Sequence, residues 1–347
     1  MAVAGPAAAA LQSLRPDQLR FIQSISKAEL HAHLNGCIPI AVLQDLAREY
    51  TTSETPGGLP GEEIQSGLAK LVDGPNLNEI SDFFSLFPAI YALTATPSSL
   101  ACVTSAVLKS FLDGEHPQCQ YLELRTTPKE TSEMTREKYV RVVLEELARY
   151  GKKRTGLIVS LDRRMGEEVM RECIGIAKKL KAEGEAVVGV DLCGDPTAGN
   201  VEVFRCHFED AREAGLGVTL HVAETIHNST QETLQFLCFP HQRLGHATFL
   251  DEQARDIVTE RKTCIEICLS SNLLCKTVAS LDAHHIRYYL EHKHPIAICT
   301  DDTLPFRTSL EGEYALLMAQ PPLGLGLSEE EVKMIGEMGM DARFANS

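Results

Sequence analysis

Positive charge is what this sequence is short of: 33 lysines and arginines face 48 aspartates and glutamates, for a formal net charge of −15. That deficit disfavours a nucleic-acid or anionic-membrane surface, because both require a basic footprint. It leaves room for a small anionic substrate, which needs only a few local cations. No run approaches 18 apolar residues, so nothing reads as a membrane span. Among 11 cysteines there is no C-x-x-C pair, Cys264 and Cys268 being the closest spacing. An odd number of thiols without paired spacing argues against zinc held by cysteines and reads as reduced thiols in a cytoplasmic protein. A P-loop, H-E-x-x-H, G-x-S-x-G and G-x-G-x-x-G are all missing. His207-Phe208-Glu209 matches the H-x-E of the cytidine deaminase fold, but no P-C-x-x-C follows, which sets that class aside.

What is present is a chain of 347 residues, 44% hydrophobic and 23% charged, close to the globular average. That length suits two domains or one large α/β barrel with insertions. The Ala-rich start has no basic residue before Arg15 and is interrupted by Pro6. It reads as a flexible leader over 1–20 rather than a secretory signal, ahead of a single domain over 21–347.

Eight short apolar runs follow. They are Lys27 to His33, Tyr121 to Arg125, Gly156 to Asp162, Ala186 to Leu192, Gly217 to Val222, Arg243 to Phe249, Thr263 to Leu269 and Pro295 to Thr300. Continuous runs of this length are the signature of strands buried on both faces in a parallel sheet. Amphipathic stretches such as Gly166 to Glu183, Asn200 to Ala214 and Asp251 to Arg261 lie between them. Strand alternating with helix eight times predicts a (β/α)8 barrel, with a doubly wound open sheet as the other solution. Nearly ninety residues separate His33 from Tyr121. This stretch holds a Gly/Pro-rich loop, Thr55 to Glu63, and an aromatic helix-like piece, Phe83 to Leu93. It reads as extra helices inserted after strand 1, over one end of the sheet. Leu327 to Glu331 looks like the capped start of a C-terminal helix.

Several of the apolar runs end in ionisable residues. His31 and His33 end the first run, His221 the fifth, with Glu224 three residues on. The sixth carries His246, and the eighth ends in Asp301-Asp302. In a barrel all the C-terminal strand ends share one face, so these residues converge. Residues two apart on a strand point the same way, which puts both imidazoles of His31-x-His33 on one side. Three imidazoles (His31, His33, His221) and a carboxylate (Asp301) suit zinc with a position left for water, although ligand type alone also admits cobalt, iron or manganese. Asp301-Asp302 before a helix also fits an N-cap pair. A bound metal lowers the pKa of water to give hydroxide near neutral pH. His246 can orient that hydroxide or take its proton, Glu224 can pass protons to a substrate nitrogen, and Asp302 can hydrogen-bond substrate or hold a histidine. The class is metal-assisted attack on an electrophilic carbon, by a hydrolase or deaminase.

HAHLNG at His31, DLCGDP at Asp191, HVAE at His221, RLGHATFL at Arg243, SSN at Ser270 and CTDD at Cys299 together resemble the adenosine deaminase family, in that family's order. The resemblance covers about Lys27 to Phe306. It implies a zinc-binding (β/α)8 barrel, a metal-dependent deaminase domain, that replaces the purine 6-amino group with oxygen. It also implies one zinc on His31, His33, His221 and Asp301. Glu224 would be the shuttle that protonates N1, His246 the residue that activates hydroxide, Asp302 the contact to N7, and Gly194 the backbone contact to N3. Two glycines common in the family, in H-A-G-E and G-H-G, are Ala223 and Ala247 here. Asn35 stands where adenosine deaminases proper usually carry aspartate. An aspartate would repel a 5′-phosphate by roughly 1–4 kcal/mol at about 4 Å, and asparagine removes that cost. With Arg125-Thr126-Thr127-Pro128-Lys129, Asn35 resembles the adenosine-deaminase-like branch, the N6-methyl-AMP deaminases. In that branch the loop Thr126, Thr127, Pro128 and Lys129 contacts the nucleotide, Asp162 is a substrate contact and Tyr91 a pocket residue. Arg163 and Arg164 can add positive potential.

The expectation is therefore hydrolysis of N6-methyl-AMP to IMP and methylamine. The alternatives are an adenosine deaminase acting on the free nucleoside and a non-catalytic purine-binding protein. The expected partner is a small purine nucleotide, with no nucleic acid and no membrane, and the expected state is a monomer.

Overall fold

The computed structural model describes residues 3–50, 59–73 and 85–344. Eight strands lie side by side in chain order. They are β1 (Ala28–His33), β2 (Tyr121–Thr126), β3 (Thr155–Asp162), β4 (Val187–Cys193), β5 (Gly217–Val222), β6 (Arg243–His246), β7 (Cys264–Ile267) and β8 (Ile296–Ile298). Each named pair is parallel. The sheet closes on itself just beyond β8. There the His33 N–H donates to the Asp301 carbonyl (3.1 Å) and the Asp301 N–H to the His31 carbonyl (2.9 Å). The architecture is thus the (β/α)8 TIM barrel that the alternating runs predict, not the open sheet.

The apolar runs end where the backbone turns. The sixth run was expected to reach Phe249, but β6 stops at His246 because His246 and Ala247 take φ of 59° and 48° and leave the ladder. Helices return the chain along the outside, and their N-termini are written in polar caps. Thr135, Asn200, Ser229, Asp251 and Ser328 each accept a backbone N–H of the first turn. Ser328 and Glu331 form the capping box expected for the C-terminal helix, Glu329–Asp341.

The stretch between β1 and β2 holds helices Ile40–Glu49, Gly61–Asp73, Phe87–Leu93 and Pro97–Leu112. Residues 55–58 of the expected Gly/Pro loop and 83–84 of the aromatic stretch lie outside the described residues. The described end of that loop, from Gly61, is already helical. Phe87 and Tyr91 of the aromatic helix line the mouth of the barrel. Among the described residues no single helix is long and apolar enough to cross a membrane.

The first twenty residues depart from expectation. From residue 3 onward they are not a loose leader but two helices, Gly5–Ser13 and Pro16–Ser24. Ala7 and Ala10 are buried, the Ala4 N–H donates to the Arg307 carbonyl (2.8 Å), and the first helix lies against Leu310–Met318. Alanine-rich composition reads as weakly hydrophobic, yet alanine permits close helix approach. Tertiary packing, which the local pattern does not contain, orders the segment.

The same helix, Leu310–Met318, carries the fully buried Glu313. Its carboxyl accepts the Ser270 N–H (3.1 Å) and the Thr308 hydroxyl (2.6 Å). Burial pushes this carboxyl up to about 7, against the pull of those hydrogen bonds. The folded chain then binds the proton more tightly than the unfolded one. Its contribution to stability is full below about pH 4.5 and is lost as pH rises through about 7. Glu313→Gln cannot titrate. Its stability relative to the parent should improve from pH 5 to pH 8, by up to about 3 kcal/mol in urea unfolding. An equal difference at both pH values would contradict the assignment.

Candidate active site

Strand periodicity puts Glu29, His31 and His33 on one side of β1, and the barrel makes that side the interior. The His31 Nδ1 lies 2.6 Å from Glu266 Oε2. A carboxylate only accepts, so Nδ1 carries the hydrogen and Nε2 presents a lone pair. The His221 Nδ1 is 2.9 Å from both Asp191 Oδ1 and the Leu192 carbonyl, which fixes the same tautomer. The lone pairs meet. His33 Nε2 is 3.3 Å from His31 Nε2 and 3.2 Å from His221 Nε2. Asp301 Oδ1 lies 3.6 Å from His31 Nε2 and 3.5 Å from His33 Nε2. Donors about 2.0–2.1 Å from a tetrahedral metal sit about 3.3 Å from one another, so this spacing fits a first-row divalent cation.

Electrostatics suit ligand chemistry. Burial pushes His33 down to about 3 and His31 well below its usual range, keeping both neutral. Burial also works against charge on His221, but the facing Asp191 carboxylate raises it to about 9. A metal at His221 Nε2 must displace that proton, so affinity falls as pH drops. Burial opposes ionisation of Asp301, yet His246 and the three imidazoles hold its carboxyl below the usual range. Asp302 goes the other way, pushed up by burial and by Asp301. Cys268 approaches His31 and Asp301 as well, but burial drives its thiol far up, away from the thiolate a metal needs. Asp302 heads the short helix Thr303–Phe306 without a side-chain cap bond, so capping does not account for its carboxylate.

These groups floor a cleft of about 880 Å³ at the C-terminal ends of the strands. The buried atoms of its lining that have no hydrogen-bond partner among the described residues include Asn35 Oδ1, Glu224 Oε1, His246 Nδ1 and Asp302 Oδ1. His246 Nε2 lies 3.7 Å from Asp301 Oδ2. Glycines clear the space. A Cβ on Gly36 would overlap the Asp302 carboxylate, and one on Gly194 (φ 95°) would sit 2.7 Å from Asp162 Cγ. Ala223 and Ala247, at the two positions where the resemblance leads one to expect glycine, both take the left-handed backbone, at φ 51° and 48°. That conformation is strained for any residue with a Cβ.

The remaining expected contacts divide. Asn35, Tyr91, Thr126, Thr127, Asp162 and Gly194 line the cleft, while Pro128 and Lys129 are not on its walls. The Thr126 hydroxyl pairs with Tyr139 (2.8 Å) and Thr127 with Cys193 Sγ (3.7 Å). The Lys129 ammonium lies 4.2 Å from the Tyr91 ring centre, with its pKa lowered by burial. Arg164 lines the cleft and grips both oxygens of Asp162 (3.0 and 2.7 Å), whereas Arg163 is buried on the Pro196 carbonyl and Glu232. Arg125, grouped with the loop by sequence, belongs to β2 and points inward to Glu266 (2.9 Å) and Asp191 (3.4 Å).

Sequence reasoning assigned no role to the residues under the histidines. Glu266 accepts from His31, Arg125, Arg243 (2.7 Å) and Thr219 (2.9 Å), and Arg243 also reaches Glu123 (2.6 Å). A signal was there, since Glu29, Glu123 and Glu266 are carboxylates in the middle of apolar runs. Glu266→Gln would leave Arg125 and Arg243 short of a charge and free the His31 tautomer. It should cost about 3 kcal/mol in urea unfolding and weaken metal retention about 10- to 100-fold in chelator competition. Parent-like values for both would contradict the role.

Comparison with known proteins fits this geometry. Residues 26–347 match the family described as "Adenosine deaminase". The chain is 34% identical over 307 residues to N6-methyl-AMP deaminase-L of Xenopus laevis, covering 86% of this chain and 84% of that one. A crystal structure of Arabidopsis N6-mAMP deaminase superposes with a TM-score of 0.83 at 32% identity, over 94% of this chain and 95% of that one. The structure of Arabidopsis ADAL complexed with IMP gives 0.82 at 31%, over 94% of each. The sequence match spanning the barrel shows that this chain belongs to the adenosine deaminase family of hydrolases.

Proposed function

We propose that the chain is a zinc-dependent N6-methyl-AMP deaminase, working as one metal-dependent barrel domain in the cytoplasm and converting N6-methyl-AMP and water to IMP and methylamine. The observation that carries the reading is the meeting, in one cleft, of the four-donor cluster with the unpaired oxygens of Glu224, Asp302 and Asn35. His31, His33, His221 and Asp301 would hold the zinc. When bound, zinc makes water a nucleophile near neutral pH.

The chain's own residues do the rest. His246 takes the proton of the attacking water, and Glu224 delivers one to purine N1 as the new bond forms at C6. Asp302 meets N7, which is an acceptor, so it acts as a neutral acid, the form that burial favours. The Gly194 N–H meets N3, and Asp162, held by Arg164, contacts the sugar side. The nucleotide preference rests on Asn35, which puts a neutral amide at the cleft where a carboxylate would repel phosphate. Thr126 and Thr127 contact the nucleotide from the cleft wall, and Pro128 and Lys129 stand behind them, Lys129 over the Tyr91 ring supplying positive charge to that wall. The IMP complex of the Arabidopsis relative supports the product assignment. The eleven unpaired thiols suit a reducing compartment.

Turnover of N6-methyl-AMP, AMP and adenosine should be followed side by side, with products identified by mass. IMP from N6-methyl-AMP, with little from the other two, is expected. Inosine from adenosine without turnover of N6-methyl-AMP would contradict the nucleotide reading. Glu224→Ala should retain zinc and lose at least about 100-fold in kcat. Lys129→Ala should raise KM for N6-methyl-AMP about tenfold, and an unchanged KM would remove Lys129 from the phosphate side.

A further inference from the structure

Two adjacent histidines without a role so far, His284 and His285, stand just before helix Ile286–Glu291. Their rings stack at 4.4 Å and 17°. Their neighbours fix each in one tautomer. The Ile286 N–H donates to His284 Nδ1 (3.1 Å), so His284 donates through Nε2 to Asn272 Oδ1 (3.1 Å). Asn272, on the wall of the cleft, donates in turn to the hydroxyls of Thr248 (3.3 Å) and Thr277 (3.1 Å). His285 Nε2 is 2.8 Å from the His246 carbonyl and can only donate to it. Its Nδ1 is buried without a hydrogen-bond partner among the described residues, so the ring is neutral and committed to that one bond.

The bonded carbonyl lies between two left-handed residues, His246 (φ 59°) and Ala247 (φ 48°). Non-glycine residues adopt this conformation only when their surroundings enforce it. The turn it makes swings the His246 imidazole toward Asp301. From the inner side, the Ala247 N–H is bonded to the Val222 (3.1 Å) and Gly245 (2.8 Å) carbonyls. From the outer side, the grip is that of His285.

We propose that His285 is a positioning residue for the reaction, its Nε2–H holding the His246 carbonyl so that the strained turn keeps the His246 imidazole aimed at Asp301 and the cleft floor. This rests on the role given to His246 above. His284, stacked on it and bonded to Asn272, ties the same support to the cleft wall, so one histidine pair braces the end of β6 and a residue following β7.

The test compares His285→Leu, which removes the donor, with His285→Gln, whose amide nitrogen can replace it, in the full zinc-loaded chain. His285→Leu should lower kcat about tenfold with KM and zinc content little changed, and His285→Gln should regain most of the loss. Equal losses in the two variants, or a loss confined to KM, would overturn the proposal. A second readout does not need turnover. In histidine-labelled protein the His246 ring signal, identified by its disappearance in His246→Gln, should shift in His285→Leu and return in His285→Gln. An unmoved signal would overturn the proposal even if the chain acted on no purine. A parent chain inactive on every purine, with the signal shifting as expected, would defeat the proposed function alone.

Discussion

Four donors converge on one carboxylate at the heart of the barrel. Glu266 accepts from His31, Arg125, Arg243 and Thr219, and every one of these groups is buried. Barrels of this class are usually filled by branched aliphatic layers. Here the filling includes Glu29, Glu123, Arg125, Asp191, Arg243 and Glu266, each at 0–1% exposure. Such charges are tolerable only as a set, because removing one leaves its partner buried and unpaired. The set also has an output. It fixes the hydrogens of His31 and, through Asp191, of His221 on the far ring nitrogens, so that lone pairs face inward. The donor cluster is therefore built from below, by residues outside it.

From that floor upward, the backbone spends strain to aim side chains. Ala223, Ala247 and Asp301, just beyond their strands, and His246, the last residue of β6, all adopt left-handed φ. Each sits where a strand must stop and a side chain must turn back toward the axis. His221 and Glu224 flank the first of these turns, and His246 and Asp301 are themselves turned. In a closed barrel the surrounding ladder over-determines these conformations, which is what lets them persist.

Most of the fold and of the donor cluster is legible in the sequence, because both depend on local patterns. Apolar runs of strand length, helix caps such as Ser328, and ionisable residues at run ends can all be read along the chain. The leader was misjudged because its order comes from alanines packed on Leu310–Met318, a contact far away in sequence. Arg125 ends the second apolar run and also opens the Thr-Thr-Pro-Lys loop, and nothing local says that its guanidinium turns inward to Glu266. The support by Glu266 and Asp191 was visible only as charge misplaced in apolar runs. Its meaning needs the partner strand. The support by His285 gave no local signal, since its partner is a backbone carbonyl 39 residues earlier in the chain.

Buried tautomer control prepares His31, His33, His221 and Asp301 to act as one metal site. Its most direct test is anomalous diffraction at the zinc edge from crystals of the purified chain grown with zinc. One strong peak about 2 Å from His31 Nε2, His33 Nε2, His221 Nε2 and an Asp301 oxygen is expected. No peak between these four groups, or a peak bound through Cys268 instead, would contradict it.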